Sequence, residues 1–230
     1  MYNKREIRIS AKNLGSLAMP DACHRCFWIK NTIKTLPWQI FPGIFSSIDS
    51  YTKKMVHLIF DETGKAPAWL PELDDTEKYL KALHWSKFKR KDKETGITVT
   101  GMVDDIFQCY DGSRIIVDYK TAKYTKNQDK LLPLYEAQLN LYAWIEEGFG
   151  SIVRDDLPLI YCEPVTEPEN QNYGTIGFAL PFQCKTVLIK KDTSLVDELL
   201  AKVVTLLSGQ IPEINIKCKD CLALEKIISL

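Results

Sequence analysis

The chain has 230 residues, 45% hydrophobic and 26% charged, which is the composition of an ordinary globular protein able to bury a substantial core. Thirty basic residues balance thirty acidic ones, so no global positive field announces nucleic acid, and only a local basic strip remains open as an anion-binding surface. No run reaches the length of a transmembrane helix and no apolar signal core follows Met1, so a cytoplasmic location is expected, where the seven cysteines are reduced thiols or metal ligands.

Neither an internal repeat nor a low-complexity linker interrupts the chain, which predicts a single domain over 1–230, with a core over about 44–190 and cysteine-bearing ends at 20–34 and 210–230. Pro20–Lys34 carries Cys23-His24-Arg25-Cys26 and opens a helix. Thr35–Gly43, broken by Pro37, Pro42 and Gly43, reads as a loop. Ile44, Ile48, Tyr51, Met55, Leu58 and Ile59 recur at helical spacing and predict a helix over Ile44–Phe60, ended by Gly64 and Pro67. A short helix is predicted over Thr76–Ala82. His84–Lys93 is basic and extended, with Lys87, Lys89, Arg90, Lys91 and Lys93 crowded together.

Two β-type runs follow, Gly101–Cys109 and Arg114–Lys120, joined by the hairpin signal Asp111-Gly112. Thr121–Lys130 is a polar loop carrying Lys123, Lys126 and Lys130. Pro133 suits the first turn of a helix that Gly148 ends. Leu157–Cys162 and Thr175–Lys190 are β-rich and extend the sheet. Thr193–Leu207 is an amphipathic helix stopped by Gly209 and Pro212, and the tail delivers Cys218-Lys219-Asp220-Cys221.

The two central strands place Asp104, Asp105, Asp118 and Lys120 among apolar residues. Burying such groups costs several kcal/mol each unless they are paired or bound to metal. Alternation puts Asp118 and Lys120 on one face and Tyr119 on the other. A two-residue turn at Asp111-Gly112 sets Asp105 opposite Asp118. A three-residue loop over Asp111–Ser113 instead sets Asp104 near both Asp118 and Lys120. Two carboxylates on adjacent strands suit Mg²⁺ or Mn²⁺, and Lys120 beside them can orient or deprotonate a water and offset charge on a phosphorane. The expected chemistry is metal-dependent phosphodiester hydrolysis. Tyr135, Gln138 and Tyr142 form one stripe of the following helix, next to the apolar stripe Leu134, Ala137, Leu141 and Ile145. Lys87–Lys93 leads into the acidic strands and Lys120, Lys123, Lys126 and Lys130 lead out, so both flanks can neutralise phosphates.

Gly101-Met102-Val103-Asp104, Asp118-Tyr119-Lys120-Thr121 and Gln138-Leu139-Asn140-Leu141-Tyr142 together resemble the motifs of the PD-(D/E)XK nuclease superfamily. The match is nearest its RecB-like branch, which includes the CRISPR-associated RecB-like exonucleases. The resemblance implies an α/β, restriction-endonuclease-like core: a mixed β-sheet flanked by helices, with a terminal cysteine cluster. It implies a DNA exonuclease acting on single-stranded or frayed ends in repair, recombination or CRISPR-type processing, with a helicase or a CRISPR adaptation protein as partner and no membrane. It favours Asp104 over Asp105 as the metal ligand beside Asp118, adds the Tyr119 carbonyl to the ion's contacts, and assigns Gln138 and Tyr142 to the catalytic set with Lys120. The branch also takes a histidine ligand from a preceding helix, for which His57 is the candidate, with Asp49 projecting to the same region. The alternative is a non-catalytic nucleic-acid or protein-binding module that keeps the fold.

Cys23-x-x-Cys26 and Cys218-x-x-Cys221 are two identical spacings at opposite ends of the chain, and two such turns complete a four-thiolate site that suits structural zinc. Resemblance instead points to a 4Fe–4S cluster, although the two-plus-two arrangement departs from the one-plus-three pattern of that branch. Cys109, Cys162 and Cys184 lie in strand-like runs and read as ordinary core residues.

Overall fold

The computed structural model describes residues 7–33, 43–125, 130–167, 172–174 and 177–229. Strand β1 (Arg8–Ser10) runs straight into the short helix α1 (Ala11–Gly15), where Ser10 Oγ accepts the Asn13 backbone N–H at 3.2 Å as an N-cap. Helix α2 (His24–Thr32) begins at Cys23, and helix α3 (Gly43–Thr63) covers the predicted Ile44–Phe60. The predicted loop over Thr35–Gly43 falls, Gly43 apart, outside the described residues.

Thr76–Ala82 is not helical. It forms β2 (Thr76–Leu80), an edge strand whose pairing with the later strand β5 outweighs the helical character of its polar residues. Next come β3 (Lys89–Lys91) and β4 (Thr98–Thr100). Gly101–Asp104 is a connection rather than strand, and β5 (Asp105–Cys109) and β6 (Arg114–Lys120) form the expected hairpin. Helix α4 (Leu132–Glu147) has Pro133 in its first turn and Gly148 at its C-cap. The chain then runs through β7 (Asp156–Pro164), β8 (Asn172–Gly174), β9 (Gly177–Ala179), β10 (Phe182–Lys190), α5 (Ser194–Ser208) and α6 (Lys219–Ile228).

The central sheet has five strands in the order β10-β7-β6-β5-β2. Strands β6 and β7 are parallel, as a crossover through α4 requires, and the other neighbours are antiparallel. Alternation divides β6 between two cores. Ile116, with Leu157, Leu159 and Tyr161 of β7, packs under α4, α5 and α1. Ile115, Val117 and Tyr119, with Ile160 and Cys162, pack under Val56 and Phe60 of α3. Helix α4 is buried almost all round, so its polar residues are satisfied internally. Asn140 Oδ1 accepts the Asp192 backbone N–H at 2.5 Å, and the Glu146 carboxylate pairs with Arg114 and accepts Ser151 Oγ at 2.9 Å.

A second sheet, β1-β4-β3, stands beside the first, and Gly101–Asp104 carries the chain from one to the other. Gly101 is required there. A Cβ on it would lie 2.7 Å from the Tyr142 ring and 3.0 Å from Phe88, closer than side chains tolerate. Among the described residues, no helix is long and apolar enough to cross a membrane.

Candidate active site

The hairpin register decides which aspartate meets Asp118, and it is neither of the two expected registers. The loop is Tyr110–Gly112, closed by Cys109 N–H donating to Ser113 O at 2.8 Å, with Gly112 at φ 82°. Gln108 thus pairs with Arg114 and Asp105 with Val117. The next step along the same diagonal sets Asp104 against Asp118. The loop has the odd length that a catalytic Asp104 needs, displaced one residue toward the N-terminus, because Asp111 Oδ1 accepts both Ser113 N–H at 2.9 Å and Ser113 Oγ–H at 2.5 Å and holds Ser113 in the strand pair.

Asp104, Asp118, Tyr119, Lys120, Gln138 and Tyr142 all line one cleft of about 620 Å³, together with Asp49 and Ser46 of α3, Lys12 of α1, and Trp85. Asp104 Oδ2 accepts the Tyr119 backbone N–H at 3.0 Å. Asp118 is buried, its Oδ2 forms an ion contact with Lys120 Nζ, and that oxygen finds no well-aligned hydrogen-bond donor. Burial, with Asp104 adding like charge against the favourable Lys120, pushes the Asp118 carboxyl up to about 7. Two adjacent carboxylates with an under-coordinated buried oxygen are a donor set that a hard divalent cation would satisfy.

Lys120 is held on three sides. Besides Asp118, its Nζ lies 3.5 Å from Gln138 Oε1 and 4.6 Å from the centre of the Tyr135 ring. Gln138 Nε2 in turn donates to the Tyr142 hydroxyl at 2.6 Å. The stripe Tyr135, Gln138 and Tyr142 therefore acts on the lysine. A chain of contacts from Tyr142 through Gln138 fixes the ammonium beside Asp118.

His57 is not among the cleft-lining residues. Its Nε2 lies 2.8 Å from Asp105 Oδ1 and its ring stacks on Tyr79 at 3.9 Å. Asp105 also accepts the Tyr119 hydroxyl at 3.1 Å, so His57, Asp105 and Tyr119 form a polar network on the α3 side of the sheet. The hydrogen bond to Asp105 raises the His57 pKa despite burial. What α3 brings to the cleft lining is Ser46 and Asp49, and Lys53, just outside that lining, is paired with two of its carboxylates. Lys53 Nζ lies 2.5 Å from Asp104 Oδ1 and 3.2 Å from Asp49 Oδ2. Sequence reasoning missed Lys53, whose only local signal is its i,i+4 spacing from Asp49.

Of the basic residues flanking the strands, Lys87, Lys89, Lys91, Lys93, Lys123 and Lys130 are exposed, and Lys126 lies outside the described residues. Arg90 departs from the rest. It stacks 4.2 Å above the Trp144 ring and donates to Trp144 O at 2.6 Å, so it ties β3 to α4 instead of facing solvent.

The four terminal cysteines do meet. Cys23 is the N-cap of α2 and Cys218 that of α6, so each C-x-x-C pair spans a helix N-terminus. Sγ–Sγ distances are 3.4 Å for Cys23–Cys221, 3.7 Å for Cys26–Cys218 and 3.5 Å for Cys26–Cys221, and all four sulfurs lie within 4.8 Å of one another. Burial and the neighbouring sulfurs push the Cys26 thiol well up, a penalty that a cation among the four would remove. Zn–S bonds of about 2.3 Å put the sulfurs of a tetrahedral site about 3.8 Å apart. The corners of a four-iron cubane are wider, roughly 6 Å apart, and the four thiols together make a cluster that could hold a metal. Elsewhere Cys109 and Cys162 are buried as expected, and half-buried Cys184 has its sulfur 3.3 Å from that of Cys162.

No protein-family model and no curated protein matches this chain. Among solved structures, a phage-related exonuclease from Haemophilus somnus 129PT aligns over 88% of this chain and 92% of its own, with a TM-score of 0.51 at 13% identity. An alkaline exonuclease from Laribacter hongkongensis aligns over 98% of this chain and 93% of its own, with a TM-score of 0.49 at 10% identity. The first of these likenesses establishes the fold. This chain has the nuclease-type α/β architecture, a mixed sheet flanked by helices, with its cysteine cluster joining the two ends.

Proposed function

We propose that this chain is a divalent-metal-dependent deoxyribonuclease that hydrolyses phosphodiester bonds at single-stranded or frayed DNA ends. The observation that carries this reading is the meeting of Asp104, Asp118 and Lys120 in one cleft at the end of the β5–β6 hairpin. Asp104 and Asp118, with the Tyr119 carbonyl, would hold Mg²⁺ or Mn²⁺, which when bound polarises a phosphate oxygen and acidifies water. Lys120, ion-paired with Asp118 and donating to Gln138, retains N–H donors for the attacking water or a phosphate oxygen, and its charge offsets that of the phosphorane. Gln138 and Tyr142 are positioning residues that hold Lys120. Asp49 is the better-placed contributor from α3, since His57 is engaged by Asp105. Lys12 at the cleft and the exposed lysines of Lys87–Lys93 offer phosphate contacts without base readout.

The exonuclease fold of the H. somnus protein supports action at free ends. Membership of the RecB-like branch and a cytoplasmic role in repair, recombination or CRISPR-type processing beside a helicase or adaptation protein rest on the motif resemblance. For the four cysteines, sulfur spacing supports structural zinc over 4Fe–4S. The test of the nuclease reading is end-labelled linear and internally labelled circular single-stranded DNA with Mn²⁺, comparing wild type with Lys120→Ala. Loss of at least about a hundredfold in the variant is expected. Equal cleavage by both proteins, or none by either, overturns the assignment.

A further inference from the structure

The charged groups that line the cleft, and Lys53 just outside its lining, are divided unevenly. Asp118 has Lys120 beside it, at the end nearest α4. At the α3 end, Lys53 Nζ sits between two carboxylates, 2.5 Å from Asp104 Oδ1 and 3.2 Å from Asp49 Oδ2. Asp104 is the middle carboxylate of the three, and its two oxygens are already divided, Oδ2 toward the Tyr119 N–H and Oδ1 toward Lys53.

Two-metal phosphodiesterases hold their ions about 3.5–4 Å apart, which calls for a carboxylate that bridges both and a further carboxylate on the outer ion. Asp104 and Asp49 are placed for those two tasks, yet the space between them belongs to an ammonium group. We infer that Lys53 takes the place of a second divalent cation, so that the cleft binds a single ion on the Asp118 side of Asp104. This rests on the reading of Asp104 and Asp118 as a metal site.

The chemistry favours permanent occupation by the lysine. A tethered ammonium pays no translational entropy to stay in the site, whereas a hydrated Mg²⁺ must shed water to enter it. Lys53 is anchored in a 21-residue helix whose Val56 and Phe60 are locked into the core beneath, so its Cα has little freedom to withdraw. Three carboxylates and two ammonium groups leave one formal negative charge, which one divalent ion suffices to reverse before the anionic phosphate arrives.

The test counts ions. The 230-residue chain, with its cysteine cluster metal-loaded as purified, is titrated with Mn²⁺ and followed by electron paramagnetic resonance, with the Asp104→Asn, Asp118→Asn double variant as the blank. Wild type is expected to bind one cleft ion, giving an isolated six-line signal. Lys53→Met should bind two and show the exchange-coupled spectrum of a dinuclear site. Lys53→Arg should return to one, and adding Asp49→Asn to Lys53→Met should also return to one. Two coupled ions in the wild type would overturn the inference, and that count needs no variant to fold. One ion in folded Lys53→Met would overturn it as well. No cleft ion in the wild type would instead overturn the metal-site reading beneath it.

Discussion

The backbone N–H of Tyr119 donates to Asp104 Oδ2 at 3.0 Å, and this contact joins the two halves of the candidate site. Asp104 stands just outside β5, where regular pairing has ended, and this bond to Oδ2, with that from Lys53 to Oδ1, fixes its side chain. The bond orients the carboxylate across the sheet end toward Asp118, the next residue back along β6. It depends on the hairpin register, and so on the three-residue loop Tyr110–Gly112 some distance away.

Lys120 is held from the α4 side by Gln138, which Tyr142 holds in turn. Gln138→Leu keeps the volume and removes the amide. The expected result is a ten- to hundredfold fall in kcat with KM for DNA little changed, since the lysine loses its orientation and the strand its contacts do not. Steady-state kinetics on a short single strand checks this. A rise in KM at constant kcat would place Gln138 on the DNA instead.

The Asp118 carboxyl, raised to about 7 by burial and by Asp104, makes stability depend on pH. The folded pKa lies above the unfolded value of 3.8, so this contribution is fully present below the ordinary carboxylate range and is lost as pH rises through about 7. With divalent ions chelated, Tm should therefore fall between about pH 5 and pH 8. Mg²⁺ binds the ionised form, so it should raise Tm more at pH 8 than at pH 5.5. A Mg²⁺ shift that is equal at both values would remove Asp118 from the ion's ligands. Differential scanning fluorimetry suffices.

The cysteine cluster is what holds α6. Its Ile227 and Ile228 are largely exposed, and Cys221 is its one buried residue among those described. Beyond the sulfurs, Arg25 supplies the cross-links, donating to Pro212 O at 3.0 Å and pairing with Glu225 at 3.3 Å. Cys221→Ser should lower the metal held by the cysteines to near none and release α6 to proteolysis while the hairpin and α4 stay folded. Elemental analysis, an absorption spectrum and limited trypsin digestion read this directly. A broad band near 400 nm in anaerobically purified protein would mark iron–sulfur and exclude zinc.

Much of the architecture was legible because it is local. The hairpin, the helix between Pro133 and Gly148, and the alternation that parts Asp118 and Lys120 from Tyr119 follow from turn residues and periodicity. What was not legible depends on distant partners. Thr76–Leu80 is a strand because β5 pairs with it, and the polar run Thr76-Glu77-Lys78 carries no sign of that. Lys53 reaches Asp104 across 51 residues of chain. Arg90 belongs by sequence to the same basic run as its lysine neighbours, yet Trp144 claims it from a helix that sequence order places far away. The loop register turned on Asp111 capping Ser113, a side-chain bond that a turn signal alone does not specify.

His57 separates resemblance from geometry. Resemblance makes it a metal ligand, whereas its contacts are the Asp105 carboxylate and the face of Tyr79. The hydrogen bond to Asp105 raises the histidine's pKa, so the pair's stabilisation is fully present below 6.5 and is lost as pH rises through the folded value. His57→Ala removes that component. It should lower Tm below pH 6.5, by an amount that shrinks toward pH 8, and leave the Mn²⁺ count and affinity within about threefold of wild type. Magnesium distinguishes this titration from that of Asp118, because the ion acts on the cleft carboxylates and leaves the His57–Asp105 pair on the other side of the sheet unchanged. Loss of Mn²⁺ binding in a folded His57→Ala protein would return the histidine to the metal shell and require α3 to shift when the ion enters.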